Sequence, residues 1–492
     1  MKFVYLVVYR WLCSFSSQAQ YHPDEYYQTM EFAHGLQFGY GMATWEFQEK
    51  IRSCIYPLFI STAFTILEYF QWDNPTTIYF SAYVLQGFVT ALGDFLFLKI
   101  IKKELGKKAY NWSLFFLMTN WFYIYTGNRA LTNTVEMSLL HIAYYFYPWR
   151  KEQKGVWFYK VIGVLSFWIR PSGLIFYFTL IILHFYRYPK EFMMSLRFSI
   201  PSSILVVTLS IYADYWCYEE FSITPYNFID FNVLKQASAQ FGIERVTFYL
   251  YWCCPFMLTH ACIPAALFIL SRLKFWKRSA LTADKILVLN TVFPLIMLSL
   301  NPHKEERFII PIMPTLLVLC GTAVAEFFEY NRFSKQNIRR LQILLVVEIL
   351  LPNIMGLFYF TYWFMGAMSY GMRDLAYELK TYPNPNLLML ITCFQFRMYS
   401  QIHLEMPVKY IDCSDDGFFS NPTEWLKYYY QLAPDAKNHT HILLINAFLY
   451  PHMDKFIESQ GFTGDVTFIY NNPPATKDTI DLTTLILRRS NL

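Results

Sequence analysis

Apolar runs separated by short charged loops dominate the first three quarters of the chain. Runs at 77–100, 196–217, 285–300 with its flanks and 339–365 reach the roughly 18 residues that a helix needs to cross a bilayer. Tyr and Trp crowd their ends, as in the aromatic belts of membrane helices. The opening stretch to Phe15 has Lys2 before an apolar segment, as a leader would. No small-residue cleavage site separates it from the polar loop that follows, so the pattern predicts a short first membrane helix. From about residue 366 the pattern changes. Short apolar runs at 387–393, 408–412, 441–446, 465–470 and 483–488 alternate with helical patterns at 422–432 and 450–460, which predicts a small α/β unit.

Cationic loops orient the helices, because Lys and Arg concentrate on the cytosolic side. They lie at 102–108, 150–154, 187–190, 272–285 and 331–340. If 51–70 crossed the membrane, the 102–108 loop would face the lumen against that rule. The conflict disappears if 51–70, with Pro57, Arg52 and Glu68, lies along the lumenal interface. The segment 156–186 has cationic flanks on both sides and Arg170-Pro171-Ser172-Gly173 at its middle, so it is expected to be a hairpin whose turn approaches the lumen. The expected architecture is an α-helical polytopic membrane protein with about 11 transmembrane helices and interfacial lumenal helices. Residues 1–365 form the membrane module, with a first lumenal loop at 17–76, and residues 366–492 form a lumenal α/β domain. Four polar segments then share the lumenal face: 22–49, 128–136, 219–251 and 303–307. Of two glycosylation sequons, the one at Asn111 falls at a cytosolic helix end and the one at Asn438 in the lumenal tail, so Asn438 is the expected acceptor.

Composition agrees with the pattern. A chain of 492 residues with 55% hydrophobic and 20% aromatic residues and a mean hydropathy of +0.24 belongs in lipid. The net charge of +5 is spread over short loops and forms no patch, which argues against nucleic acid. The nine cysteines show no metal-ligand spacing. Cys253-Cys254 reads as structural, while Cys393 and Cys413 would be free to pair in an oxidising lumen.

Candidate chemistry lies in the lumenal segments. Asp24 and Glu25 follow His22 and Pro23; adjacent carboxylates point in different directions, so one suits a general base and the other a structural or acceptor-holding role. The competing reading is an acidic first turn of a helix after Pro23. His303-Lys304-Glu305-Glu306-Arg307-Phe308 is wedged between apolar runs, where a dense cationic cluster suits a phosphate or a snorkelling loop. Arg129 and Arg170 add cations at the same depth, and Asp94, inside a helix, is assigned to packing. Acidic groups facing basic ones at the depth of a lipid headgroup fit a polyprenyl-phosphate-linked donor, and no glycine-rich nucleotide loop or metal cluster is present in the sequence.

These motifs have a family resemblance. His22-Pro23-Asp24-Glu25-Tyr26-Tyr27-Gln28, Ala43-Thr44-Trp45-Glu46-Phe47, Arg52-Ser53 with Tyr56-Pro57, the segment 129–136, Arg170-Pro171, Pro225-Tyr226-Asn227-Phe228 and His303-Lys304-Glu305 with Arg307-Phe308 resemble, in order, the dolichyl-phosphate-mannose-dependent mannosyltransferases of the GT-C superfamily. The resemblance continues into the tail at Phe418-Phe419, Asn421-Pro422 and Trp425-Leu426. It implies an endoplasmic reticulum membrane enzyme without cofactor or metal, whose substrates are dolichyl-phosphate-mannose and a mannosylated glycosylphosphatidylinositol (GPI) precursor. It implies Asp24 as the base, with Glu25 beside it. His22, Glu46, Arg129, Arg170, His303, Lys304 and Arg307 would bind substrate. Thr44-Trp45-Glu46 favours addition of the third mannose over the fourth, and an N-glycan precursor α-mannosyltransferase is the further alternative within the family. Two positions depart from the pattern: Glu306 fills a commonly apolar slot, and Tyr215 follows Asp214 where Arg often stands. A lipid or sugar transporter is the rival from another class; the one-sided polar motifs and the lack of inverted repeats speak against it. A purely structural subunit would not need this polar set.

Overall fold

In the computed structural model the described residues are 2–390, apart from 152, 236, 238–241, 275–280, 332–333 and 364–365, together with 399–410, 440–445, 466–470 and 484–488. Asn438, Cys393, Cys413 and the helical patterns at 422–432 and 450–460 lie outside them. The first helix, α1, covers Phe3–Ser16, and α2, Glu31–Phe38, ends on Gly39 at φ 78°, a left-handed stop that glycine adopts without steric cost. Then come α3 (Trp45–Gln48), α4 (Ile55–Tyr69) and α5 (Pro75–Glu104), whose first residue is a proline, tolerated there because the first-turn N–H has no partner.

The stretch after the 102–108 loop is two helices, α6 (Gly106–Thr119) and α7 (Trp121–Thr126). Extended backbone at Asn120 makes the break, and its side chain accepts from the Tyr123 N–H to start the second helix. Next are α8 (Thr132–Phe146), α9 (Phe158–Ile169) and α10 (Leu174–Arg187). The break between α9 and α10 falls at Arg170 to Gly173, where Pro171 removes a backbone donor. The chain continues as α11 (Pro189–Tyr218), α12 (Thr224–Ile229), α13 (Cys254–Leu258), α14 (Cys262–Lys274), α15 (Ala283–Leu300), α16 (Met313–Tyr330) and α17 (Lys335–Phe358). Among the described residues the last helices are α18 (Gly366–Leu379) and the short α19 (Tyr399–Ile402).

Among the described residues six helical stretches are long and apolar enough to cross a membrane, namely Pro75–Glu104, Pro189–Tyr218, Tyr249–Lys274, Ala283–Leu300, Glu306–Tyr330 and Lys335–Tyr362. Several other expected spans are short. At 1.5 Å per residue the 12 residues of α9 and the 14 of α1 and α10 reach only about 18–21 Å, against a hydrocarbon core of about 30 Å.

The chain forms two compact units. The larger comprises Met1–Ser14, Thr44–Ile60 and Tyr83–Leu357, and the smaller Phe15–Ala43, Ser61–Ala82 and Phe358–Leu492. Parts of the first loop, Phe15–Ala43 and Ser61–Ala82, thus group with the tail. In the larger unit α16 lies against α6 with Gly321 facing Ser113, so closely that a Cβ on Gly321 would fall 2.5 Å from the Ser113 backbone nitrogen. Small residues let membrane helices approach in this way. Asp94 is fully buried and takes Arg10 Nε at 2.9 Å and Nη2 at 2.6 Å, with the Tyr123 hydroxyl as a further donor. Its assignment to packing therefore has a physical basis: Arg10, Tyr123 and, at 3.6 Å, His141 tie its own helix α5 to α1, α7 and α8.

In the smaller unit each of the five apolar runs of the tail supplies a strand: β1 (Leu387–Leu390), β2 (Val408–Tyr410), β3 (His441–Ile445), β4 (Val466–Tyr470) and β5 (Thr484–Arg488). The sheet order is β2-β1-β3-β5-β4, with β1 parallel to β2 and β3, and β5 antiparallel to β3 and β4. Tyr27 from the first loop joins a buried cluster with Met372, Leu375, Leu379, Leu387, Ile402 and Met406.

Candidate active site

In the larger unit a cavity of about 660 Å³ opens between α10, α15 and the segment around α12. Its long wall is apolar: Leu174, Ile175 and Phe178 from α10 face Phe293, Met297 and Leu300 from α15, and Phe178 stacks on Phe293 with ring centroids 5.6 Å apart. One end is polar, formed by Arg170, Ser172, Asn301 and His303 beside Phe308. An amphiphile with one anionic head would match this distribution.

The helix break at Arg170 aims its guanidinium. Nε donates to Ser172 Oγ at 2.8 Å, Nη1 donates to Asn133 Oδ1 at 3.0 Å and Thr132 Oγ1 at 3.2 Å, and Glu136 Oε2 lies 3.7 Å from Nε. The Phe308 ring lies 5.1 Å from the guanidinium carbon. Gly173 gives Glu136 its room, since a Cβ there would lie 2.6 Å from Glu136 Oε1. His303 faces an acceptor with each ring nitrogen, the Gly242 carbonyl at 3.0 Å and Glu305 Oε1 at 2.9 Å. Only the doubly protonated ring donates to both. The hydrogen bond that His303 donates to the Glu305 carboxylate raises its pKa, burial opposes this, and the bond to the Gly242 carbonyl adds to the rise.

Glu305 also accepts from Arg307 Nη2 at 2.8 Å, so one carboxylate yokes His303 and Arg307. Lys304 turns elsewhere: Nζ donates to the Glu244 carbonyl at 2.8 Å and the Pro302 carbonyl at 3.4 Å, and burial lowers its pKa. Of the expected substrate-binding cations, Arg170 and His303 line the cavity, Arg307 is joined to His303 through Glu305, and Lys304 faces backbone carbonyls. Arg129 is buried against the rings of Tyr125 and Tyr83, at 4.4 and 5.4 Å, and Nε donates to the Tyr125 carbonyl. Glu46 pairs with Arg52 at 2.8 Å, and Arg52 lies 5.4 Å over Phe228 of α12. Arg52, Arg307 and Glu305 act electrostatically on Arg170, so these charges converge on the polar end of the cavity.

Reasoning from sequence missed three residues here. Glu305 was one letter of a basic motif, Arg52 one of a family motif, and Asp214 a note of departure. Asp214 is fully buried and accepts from Ser53 Oγ, the Cys54 N–H and Thr224 Oγ1 at 2.8 Å and from Trp168 Nε1 at 2.9 Å. It binds the start of α4 and of α12 to α9 and α11. Its signal was a lone acid closing an apolar run, which required this kind of satisfaction.

In the smaller unit Pro23 begins a helical run. Asp24 Oδ2 accepts from the Gln28 amide, and the Asp24 N–H donates to His22 Nδ1 at 3.3 Å. Burial separates the two carboxylates: the Asp24 side chain keeps 23% of its surface while Glu25 is fully buried. Asp24 stands in a first helical turn, as the competing reading expects, and its carboxylate is partly exposed.

The helices long and apolar enough to cross a membrane and the family matched by its sequence make this a multi-pass membrane glycosyltransferase. Its architecture is shared with ArnT from Cupriavidus metallidurans, solved bound to undecaprenyl phosphate, at a TM-score of 0.63 over 99% of this chain and 97% of that one, with 11% identity. A model of the Alg9-like mannosyltransferase family matches residues 1–403, and the chain belongs to that family. It is 25% identical to GPI alpha-1,2-mannosyltransferase 3 of Bos taurus, covering 96% of this chain and 86% of the relative. It is 27% identical to GPI mannosyltransferase 3 of Drosophila melanogaster, covering 90% and 79%.

Proposed function

We propose that the protein transfers mannose from dolichyl-phosphate-mannose to the 2-hydroxyl of the second mannose of a GPI precursor, forming the α-1,2-linked third mannose. The observation that carries this reading is the cavity whose apolar wall ends on Arg170 and His303. A polyprenyl chain lies along the apolar wall to which Phe178 and Phe293 contribute, and its phosphate meets the cations. The reading is supported by the relatives named above and by a lipid phosphate in a protein of the same fold.

In the proposed reaction Asp24 takes the proton of the acceptor hydroxyl as its oxygen attacks C1 of the donor mannose. The bond from C1 to the phosphate oxygen breaks, and its electron pair leaves with dolichyl phosphate. One displacement turns the β-linked donor into an α-linked product. The leaving phosphate is already anionic and weakly basic, so cationic stabilisation serves it better than protonation. Arg170 and His303 supply that charge directly and Arg307 through Glu305. The about 11 spans, the lumenal site and the lumenal tail complete the reading, with the endoplasmic reticulum as its membrane.

Cells lacking the protein are expected to accumulate the two-mannose GPI intermediate, measured by labelling of lipid-linked precursors. A three-mannose precursor or a truncated N-glycan would overturn the assignment. Complementation with Asp24→Asn should fail at normal expression.

A further inference from the structure

Residues 24–38 form one helical run: Asp24 and Glu25 open it, a π turn covers Tyr26–Met30, and α2 follows from Glu31. A π turn inside a helix is a local irregularity that often accompanies function. Immediately after it, the fully buried Glu31 carboxylate accepts from Ser400 Oγ at 2.6 Å, from the Tyr399 N–H at 3.1 Å and from the Ser400 N–H at 3.2 Å. A carboxylate taken out of water is tolerated only with such compensation, and charge-assisted bonds of this length are strong. One turn on, His34 Nε2 meets His403 Nδ1 at 3.0 Å, and His403 Nε2 faces Asp73 at 3.4 Å. Tyr27 packs in the cluster with Met372 and Ile402. The proposed transfer chemistry uses none of these groups.

We infer that Glu31 is a positioning residue for the catalytic loop, docked on the segment 399–403 so that the helix carrying Asp24 is held in one place. The inference rests on the reading of Asp24 as the base. Gln28 holds the Asp24 carboxylate from within the same helical run, so any slide or rotation of that run carries the carboxylate with it. Misplacing a reacting group by about 1 Å can cost on the order of 100-fold in rate.

The test uses the full-length protein in detergent with dolichyl-phosphate-mannose and a dimannosylated GPI acceptor. Ser400→Ala and Glu31→Gln are expected to lower kcat by about 10- to 100-fold with the donor KM unchanged. The double variant should be no worse than Glu31→Gln alone, and Ser400→Thr, which keeps the hydroxyl, should retain activity. Thermal unfolding normalises each rate to folded protein. Wild-type kcat in folded Ser400→Ala, or a loss that follows only the folded fraction, overturns the inference. Asp24→Asn separates the two readings: if it is inactive while Ser400→Ala is normal, only the clamp falls, whereas an active Asp24→Asn removes the base and the clamp together.

Discussion

Arg170 stands at the polar end of the cavity. Its guanidinium is held by Ser172, Thr132 and Asn133, with Glu136 at 3.7 Å. Removing one member of a buried ion pair costs about 3–5 kcal/mol because the other charge is left uncompensated. Arg170→Met should therefore lower the unfolding temperature sharply, and adding Glu136→Gln should recover part of that loss without restoring transfer. A double variant no more stable than Arg170→Met would show the pair to be uncoupled. His303 gives a pH signature of definite sign. Its pKa is raised, so its positive form and the stability it contributes are fully present below about 6.5 and are lost as pH rises through the raised value. The donor KM should climb on the alkaline side in the wild type, and His303→Gln should lack that limb. Both residues were legible in the sequence as polar letters in apolar surroundings. Their yoke, Glu305, was not, because a carboxylate among cations reads as charge balance until its distances are known.

Elements carry their own prediction. The contact of α16 with α6 is set by Gly321, where a methyl group would meet the backbone of Ser113 at 2.5 Å. Overpacking of this kind costs about 1–3 kcal/mol, so Gly321→Ala should lower thermal stability by that order. Ser113→Gly leaves the contacted backbone in place, so the loss should persist in the double variant. Helices and strands were the most legible level. Apolar runs foretold the five strands of the described residues, and Pro171 foretold the break before α10, since both signals are local. The break at Asn120 was hidden, because an asparagine within an apolar run becomes a helix start only when its side chain finds the Tyr123 N–H.

The grouping of the first loop with the tail belongs to the whole molecule, and it predicts sensitivity to acid. Burial, helped by His403, lowers the pKa of His34 to about 3, and burial lowers that of His403 although Asp73 opposes it. Lys380 also acts on His403, and the Tyr40 carbonyl faces His34. The unfolded chain takes up protons below about 6.5 that the folded pair refuses. Stability from this pair is thus complete above that pH and declines toward pH 3, by at most about 1.4 kcal/mol per pH unit for each histidine. Limited proteolysis across pH 4–7 should show the smaller unit opening first in acid, and His34→Gln should flatten the response. Hydropathy could not foresee this grouping, because it ranks segments by composition and is blind to pairings across hundreds of residues.

The Glu31 clamp has a consequence for biogenesis. Its partner Ser400 lies 369 residues further along the chain, so a ribosome moving at about 5–20 residues per second needs roughly 20–70 s to deliver it. During that interval the first loop waits beside a growing membrane bundle without the contact that seats it. On the proposed clamp, the catalytic loop of the nascent chain is seated only after residue 400 has emerged, so it is among the last parts of the enzyme to reach working order.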